Sequence, residues 1–221
     1  QGSSEATGRT SPSAKATMLG SIELKLMESN PLLEAFGNAK TIRNNNSSRF
    51  GKYIRVLFNE RGHIVGADLK HYLLEKSRLV FQAKSERNFH IFYQLCDGAT
   101  PEMKKNWHIA ASTAFTYLSA SQCISVPGVD DGRDFRLTLR AMELLGLTPD
   151  VQKNIFKILS AILHLGNLQF ETEKGTESKG DERARITPAT KGALDIAAKL
   201  LELDPNLLRT TILTRKNEIR G

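Results

Sequence analysis

Apolar side chains recur at helical spacing along most of the chain. In the clearest run they stand at positions i, i+3, i+4, i+7 and i+10, followed by Gly166: Ile155, Ile158, Leu159, Ile162 and Leu165. Similar spacing predicts further helices over residues 18–28, 86–96, 130–145 and 191–201. The pattern therefore predicts a mainly helical body.

Short stretches interrupt this helical pattern. Residues 29–31 (Ser-Asn-Pro) predict a break and then a second short helix that runs to Phe36, because proline suits a first helical position. Residues 53–58 alternate as a strand does, residues 59–62 are a turn signal, and residues 63–67 resume an extended pattern. The sequence therefore predicts a small antiparallel β-element, a hairpin, at residues 52–67. Residues 171–185 are predicted to be a charged loop.

Composition narrows the function classes. The chain has 221 residues, 40% hydrophobic and 25% charged, which is typical of a globular protein. Its net charge of +7 leaves a nucleic-acid module open, but the basic residues are scattered among acids and show no basic–aromatic clustering, so a solvated surface is favoured. Two cysteines without a CxxC pair fit a reducing compartment, and five histidines show no zinc-ligand spacing. Residues 155–168 are too short and too polar to span a bilayer.

One polar run, Asn-Asn-Asn-Ser-Ser-Arg-Phe-Gly-Lys at residues 44–52, can carry chemistry; we call it the Asn/Ser tract. Clusters of this kind are most often surface turns, because their side chains satisfy local backbone groups. The same properties suit a phosphate-binding loop. Small side chains allow close approach of the backbone, and a serine hydroxyl is a hard ligand for Mg²⁺ already bound to phosphates. An adjacent arginine can form a forked pair with a carboxylate and hold the loop closed.

The flanking residues separate these two interpretations. Residues 30–41 (NPLLEAFGNAKT) lead almost directly into the tract, and together they resemble the switch I region of myosins. The resemblance continues, in order, in three further stretches: residues 72–78 (YLLEKSR), 86–95 (ERNFHIFYQL) and 162–168 (ILHLGNL). It covers about residues 18–215, which makes a chance match negligible.

The resemblance to myosins implies specific roles within the tract. Asn44 is expected to contact the phosphates of ATP, and Ser47 to lie beside the γ-phosphate and the attacking water. Ser48 is expected to ligate Mg²⁺. Arg49 is expected to pair with a glutamate of switch II when the pocket closes. ATP and Mg²⁺ are the implied cofactors, while Phe50 and Gly51 are expected to be structural.

The resemblance also implies a domain organisation within an α/β P-loop NTPase parent. Residues 1–17 correspond to a flexible surface loop, residues 18–67 to the switch I region with helices and a β-hairpin, and residues 68–221 to part of the helical upper 50-kDa subdomain. Residues 171–185 match a variable loop, for which contact with actin is one alternative. The charged junction at residues 75–78 is expected to be structural, since helix junctions commonly use charged caps.

At the level of function, the resemblance implies an actin-activated ATPase that drives a motor along actin filaments in the cytoplasm. The rest of the motor domain is an implied partner, as are light chains or calmodulin bound through a neck. The chain contains neither a GxxxxGK[ST] phosphate-binding loop nor a switch II motif, so it is expected to be a piece of a longer protein and inactive alone. A non-catalytic, myosin-like protein that tethers actin remains the alternative.

Overall fold

Helices account for about half of the residues that the structure describes. The computed structural model describes residues 22–174 and 182–214. Its α-helices are α1 (Ile22–Gly37), α2 (His90–Gly98), α3 (Pro101–Trp107), α4 (Thr116–Ser119), α5 (Asp131–Leu144), α6 (Pro149–Leu165), α7 (Lys191–Leu201) and α8 (Pro205–Leu213). Short 3-10 helices span Lys76–Leu79, Ser112–Ala114 and Pro188–Thr190.

Three two-stranded antiparallel sheets accompany these helices in the described residues. Their strands are β1 (Asn38–Ala39) with β2 (Ser47–Ser48), β3 (Gly51–Phe58) with β4 (Ile64–Tyr72), and β5 (Phe170–Lys174) with β6 (Glu182–Ile186). The hairpin predicted at residues 52–67 is confirmed as β3 and β4, although β4 continues to Tyr72. The predicted boundary between residues 67 and 68 therefore falls inside a strand, and the domain division stays a prediction. The flexible loop predicted at residues 1–17 lies outside the described residues.

The first helix differs from its prediction. Residues 22–37 form one helix, so the break predicted at residues 29–31 is wrong. Pro31 lies inside α1, where it removes one backbone donor. The Ser29 hydroxyl donates to the Leu26 carbonyl at 2.6 Å, next to the Met27 carbonyl that loses its helical donor to Pro31. The helix-breaking signal at residues 29–31 is overridden because α1 packs along α5 and α2.

The charged stretch after α6 is also not simply a loop. Phe170–Lys174 pairs with Glu182–Ile186, so the loop prediction is wrong for residues 171–174 and 182–185, while residues 175–181 lie outside the described residues. The Arg185 guanidinium bonds the Glu171 carboxylate at 2.7 Å across the hairpin. Cross-strand pairs of opposite charge stabilise a solvated hairpin, which explains how strands form in a highly charged sequence.

Helix starts follow the expected chemistry. Side-chain oxygens at the N-cap accept a backbone N–H from three residues further on, which satisfies donors that the helix leaves free. Four residues do this in the described chain: Thr100, Asp130, Thr148 and Asp204. The helix predicted over residues 130–145 is confirmed as α5, which begins after Asp130, and α6 begins at Pro149 directly after Thr148.

One core joins the helices beneath the Asn/Ser tract. Helices α2, α5 and α6 supply most of its buried side chains, and α7 packs against the other side of α6. Trp107 stacks on Phe156 with ring centroids 5.2 Å apart, and Phe135 meets Phe156 edge-on at 5.3 Å. Such aromatic contacts add specificity to the area buried.

Among the described residues, no helix is both long enough and apolar enough to cross a membrane.

The contact between α2 and α5 gives a stability prediction. A Cβ at Gly98 would collide with the Phe135 side chain, so Gly98→Ala overfills this contact. We expect a loss of about 1–3 kcal/mol in the free energy of unfolding, measured by chemical denaturation. The control is Gly192→Ala in α7, where a Cβ meets nothing within 4 Å and a gain of about 0.5–1 kcal/mol is expected. Equal stability of the two variants would contradict the close packing of α2 on α5.

Candidate functional site

The Asn/Ser tract is held at both ends by backbone pairing. Strand β1 pairs with β2, in register Asn38 with Ser48 and Ala39 with Ser47. The Thr41 N–H donates to the Asn44 carbonyl at 2.8 Å, which closes the turn between the two strands. The Arg87 N–H donates to the Lys40 carbonyl at 2.9 Å and so anchors the turn to the segment before α2. The exposed part of the tract therefore stands on a fixed base.

Asn46 connects this turn to three other elements. Its side-chain oxygen accepts from Asn38 Nδ2 at 3.0 Å, and its amide nitrogen donates to Glu34 Oε2 at 3.0 Å. His90 Nε2 lies 3.1 Å from the same Asn46 oxygen. The Asn46 N–H in turn donates to Asn44 Oδ1 at 2.8 Å, which orients the Asn44 side chain. Sequence reasoning missed this hub, because no spacing rule indicates that the side chains of Glu34 and His90 meet that of Asn46.

Ser47 and Ser48 are adjacent but make different contacts. The Ser48 hydroxyl donates to the Phe50 carbonyl at 2.9 Å, and Ser48 is exposed. Since its one proton is used there, the oxygen lone pairs remain available to a hard cation, so Ser48 fits a Mg²⁺ ligand. Ser47 is half-buried, and its oxygen accepts from Arg49 Nη1 at 3.1 Å. Within residues 22–174 and 182–214, no group of three or more His, Cys, Asp or Glu side chains could hold a metal ion.

Arg49 begins a chain of alternating charges. Its Nε donates to Glu75 Oε2 at 2.6 Å, and Arg78 Nε donates to the same oxygen at 2.8 Å. Arg78 Nη1 continues to Glu86 Oε2 at 3.0 Å. The Glu86 carboxylate then accepts the Ile42 N–H at 3.3 Å, so the chain of contacts returns to the other side of the tract.

Glu75 has a role that the sequence did not indicate. It precedes the 3-10 helix Lys76–Leu79, but its side chain makes no capping bond, so the interpretation of this residue as a charged cap is wrong. Burial raises the pKa of Glu75, but hydrogen bonds from Arg49 and Arg78 outweigh it and place the pKa below its usual value. Glu75 is therefore an ionised partner of Arg49.

A second charge pair lies deeper, under the base of the tract. Arg87 is fully buried, and its Nη2 lies 2.6 Å from Asp131 Oδ2 at the start of α5. Its guanidinium stacks over the Tyr93 ring, 3.6 Å from the centroid. Burial raises the pKa of Asp131, while the charge and hydrogen bond of Arg87 act in the opposite direction. This pair fixes α2 and α5 relative to the tract.

A cavity of about 470 Å³ opens beside the tract, between α1, α2 and α5. Among the described residues, those that line the cavity include the carboxylates of Glu34, Asp131 and Asp134 and no arginine or lysine. A polyphosphate is therefore disfavoured in this cavity. The Ser47–Arg49 end of the tract, which carries a guanidinium, is better suited to an anion.

The packing of Phe50 agrees with the structural role expected for it. Its ring lies so close to Gly37 that a Cβ at that position would collide with it. The Arg49 N–H donates to the Gly37 carbonyl at 2.8 Å beside this contact. The end of α1 and the end of the tract are therefore locked together.

Comparison with known proteins places this site in a family context. Residues 6–220 match the family described as "Myosin head (motor domain)". The chain is 47% identical to the myosin IC heavy chain of Dictyostelium discoideum, over 88% of this chain and 16% of that protein. It is 48% identical to the myosin-I heavy chain of the same organism (94% and 9%) and 44% identical to myosin-14 of Arabidopsis thaliana (90% and 13%). The chain thus spans less than a fifth of the length of each of these relatives.

The environment of His90 predicts how the folding stability of the chain depends on pH. Burial lowers the pKa of His90 to about 4, and the nearby charge of Arg87 adds to this effect. Because the unfolded histidine binds its proton more strongly, the stability that neutral His90 contributes is present above about pH 6.5 and is lost as the pH falls toward 4. NMR titration of labelled histidines should show one resonance with a pKa near 4, absent in His90→Gln. If the resonance lost in His90→Gln titrates near its ordinary value of 6.5, His90 is not buried beside Arg87 in solution.

Proposed function

The chain belongs to the myosin motor-domain family, and on that premise we propose that it forms the switch I region and part of the upper 50-kDa subdomain of an ATP-driven, actin-based motor. The observation that carries the proposal is the contiguous arrangement of Ser47, Ser48 and Arg49 on a tract fixed at both ends. Ser48 is exposed with free lone pairs, and Arg49 is already held by a carboxylate. This arrangement suits the positioning and charge cover that phosphoryl transfer requires.

Each residue of the tract has a distinct role in this proposal. Asn44 contacts the nucleotide phosphates from the turn, where its oxygen is already oriented by the Asn46 N–H. Ser48 supplies one hard oxygen to Mg²⁺, which neutralises charge on the phosphates when it is bound. Ser47 lies beside the γ-phosphate and orients the attacking water. Arg49 closes the tract over the nucleotide by pairing with a carboxylate of switch II.

The remaining machinery belongs to other parts of the motor in this proposal. A phosphate-binding loop and switch II complete the site, so the present chain alone does not hydrolyse ATP. Closure of the tract is coupled to the actin-binding cleft through the helical body, and actin accelerates turnover. The motor acts on actin filaments in the cytoplasm, with light chains or calmodulin on its neck. Sequencing the encoding gene on both sides of this segment would show whether the two motifs are intact; degenerate motifs would favour ATP-insensitive actin tethering.

The metal role of Ser48 can be tested in the complete motor. Ser48→Ala removes one hard-oxygen ligand, so Mg²⁺-dependent ATP hydrolysis should fall by more than about tenfold while folding is retained. Steady-state ATPase should be measured against Mg²⁺ concentration, with and without actin. Ser77→Ala removes an exposed hydroxyl outside the tract and serves as the control. Unchanged ATPase in Ser48→Ala at every Mg²⁺ concentration would refute the assigned role.

Arg49 should affect hydrolysis more than nucleotide binding. Breaking a partly buried, charge-assisted pair costs about 3 kcal/mol, so Arg49→Ala should slow the hydrolysis step roughly 100-fold. Binding of ATP should change much less, since the phosphate-binding loop makes its own contacts. Single-turnover kinetics separates the two steps, and Arg55→Ala, which breaks an exposed pair with Asp68, is the matched control. A charge swap is a poorer test, because a glutamate at position 49 would face Glu75. Normal hydrolysis in Arg49→Ala would remove this residue from the mechanism.

A further inference from the structure

We propose that Glu75 is a positioning residue for Arg49. It holds the guanidinium at Nε and leaves the edge between Nη1 and Nη2 free for a second carboxylate. The proposal rests on the function proposed above and extends it, since the resemblance assigns Glu75 no part in the reaction. Three observations carry it: the atom of Arg49 that Glu75 engages, the second arginine that holds Glu75, and the backbone bond between the two residues.

The Arg49 atoms that Glu75 engages show whether Glu75 orients Arg49 for a second carboxylate or competes with that carboxylate for the same donors. A guanidinium has five N–H donors arranged as a rigid fork. Glu75 Oε2 takes the Nε donor at 2.6 Å, and Ser47 Oγ takes one donor of Nη1 at 3.1 Å. Among the described residues, nothing bonds Arg49 Nη2. The end-on edge between Nη1 and Nη2 can therefore bind a second carboxylate while Glu75 stays in place.

Glu75 is itself held independently of Arg49. Arg78, whose side chain is only 6% exposed, donates Nε to the same carboxylate oxygen at 2.8 Å. Arg78 is fixed in turn by Glu86 Oε2 at 3.0 Å and by the Arg87 carbonyl at 3.2 Å. Because this buried cation remains paired with Glu75, Arg49 can shift during closure without leaving Glu75 as an unpaired charge.

The backbone ties the same two residues together. The Glu75 N–H donates to the Arg49 carbonyl at 2.9 Å, so the pair is linked through main chain and side chain at once. Both side chains are about one-third exposed or less, at 27% for Arg49 and 33% for Glu75. A preorganised donor at the edge of the site loses less conformational freedom when it meets its final partner. Glu75 thus restricts the conformations of the Arg49 side chain before the tract closes.

The experiment uses the full-length motor that contains this segment. In Glu75→Ala, kcat for ATP should fall about tenfold, while KM for ATP and binding of a fluorescent ATP analogue change less than about threefold. Glu75→Gln keeps an oxygen that can accept from Nε, so it should recover most of kcat. Asp68→Ala is the matched control: it removes a carboxylate that also pairs with an arginine but does not contact Arg49, and kcat should be unchanged.

A double-mutant cycle tests whether Glu75 acts through Arg49. Lysine lacks the fork, so Arg49→Lys loses the geometry that Glu75 is proposed to fix. Adding Glu75→Ala to Arg49→Lys should then cost no further activity, and such non-additivity supports the proposal. Additive losses would overturn it, because they assign Glu75 a separate structural role. Faster hydrolysis in Glu75→Ala would also overturn it, because Glu75 would then restrain Arg49.

The same set of variants separates this proposal from the function on which it rests. If Arg49→Ala hydrolyses ATP normally, the role proposed for the tract fails. If Arg49→Ala is impaired while Glu75→Ala has an unchanged kcat, only the role of Glu75 fails. Glu75→Gln gives a reading of kcat even if Glu75→Ala does not fold, and loss of kcat in Glu75→Gln as large as in Arg49→Ala would contradict simple positioning.

Discussion

The buried guanidinium of Arg87 is the constraint around which the site is built. It has no exposed surface, pairs with Asp131 at 2.6 Å and stacks on Tyr93. Breaking a buried pair by removing one partner costs about 3–5 kcal/mol, so the three residues must stay together in the folded chain. Asp131 begins α5, and the Arg87 backbone holds the Lys40 carbonyl. One buried charge therefore fixes two helices and the base of the Asn/Ser tract relative to each other.

The three arginines near the tract differ in burial, and burial determines which of these charges can move. The Arg78 and Arg87 side chains are buried, whereas the Arg49 side chain is 27% exposed. A charge in a low-dielectric interior is costly to move, while one near solvent can exchange partners at little cost. Arg78 and Arg87 are consequently held in place beneath the tract, whereas Arg49 can exchange its partner, as the proposed function requires.

The sequence predicts those features that neighbouring residues encode, and it does not predict contacts between residues that are far apart along the chain. The β3–β4 hairpin follows from alternation and a turn signal, helix α6 follows from helical periodicity, and both are confirmed. The continuous helix through Pro31 was missed because tertiary packing outweighed a local breaker. The pairing of Arg49 with Glu75, 26 residues later, leaves no periodic trace in the sequence. The roles of the tract residues came from the family resemblance, and no spacing rule could have assigned them.

The two-residue period of an extended chain links the charges to the chemistry of the tract. Side chains at positions i and i+2 lie on one face of such a chain, so Ser47 and Arg49 share a side while Ser48 points away. The contact from Arg49 Nη1 to Ser47 Oγ at 3.1 Å agrees with this alternation. Any shift of Arg49 toward a new carboxylate must therefore disturb the Ser47 hydroxyl, whereas Ser48 keeps its bond to the Phe50 carbonyl. In the function proposed above, closure of the tract by Arg49 and orientation of the attacking water by Ser47 would be coupled through this one hydrogen bond, while Ser48, the proposed metal ligand, would remain in place.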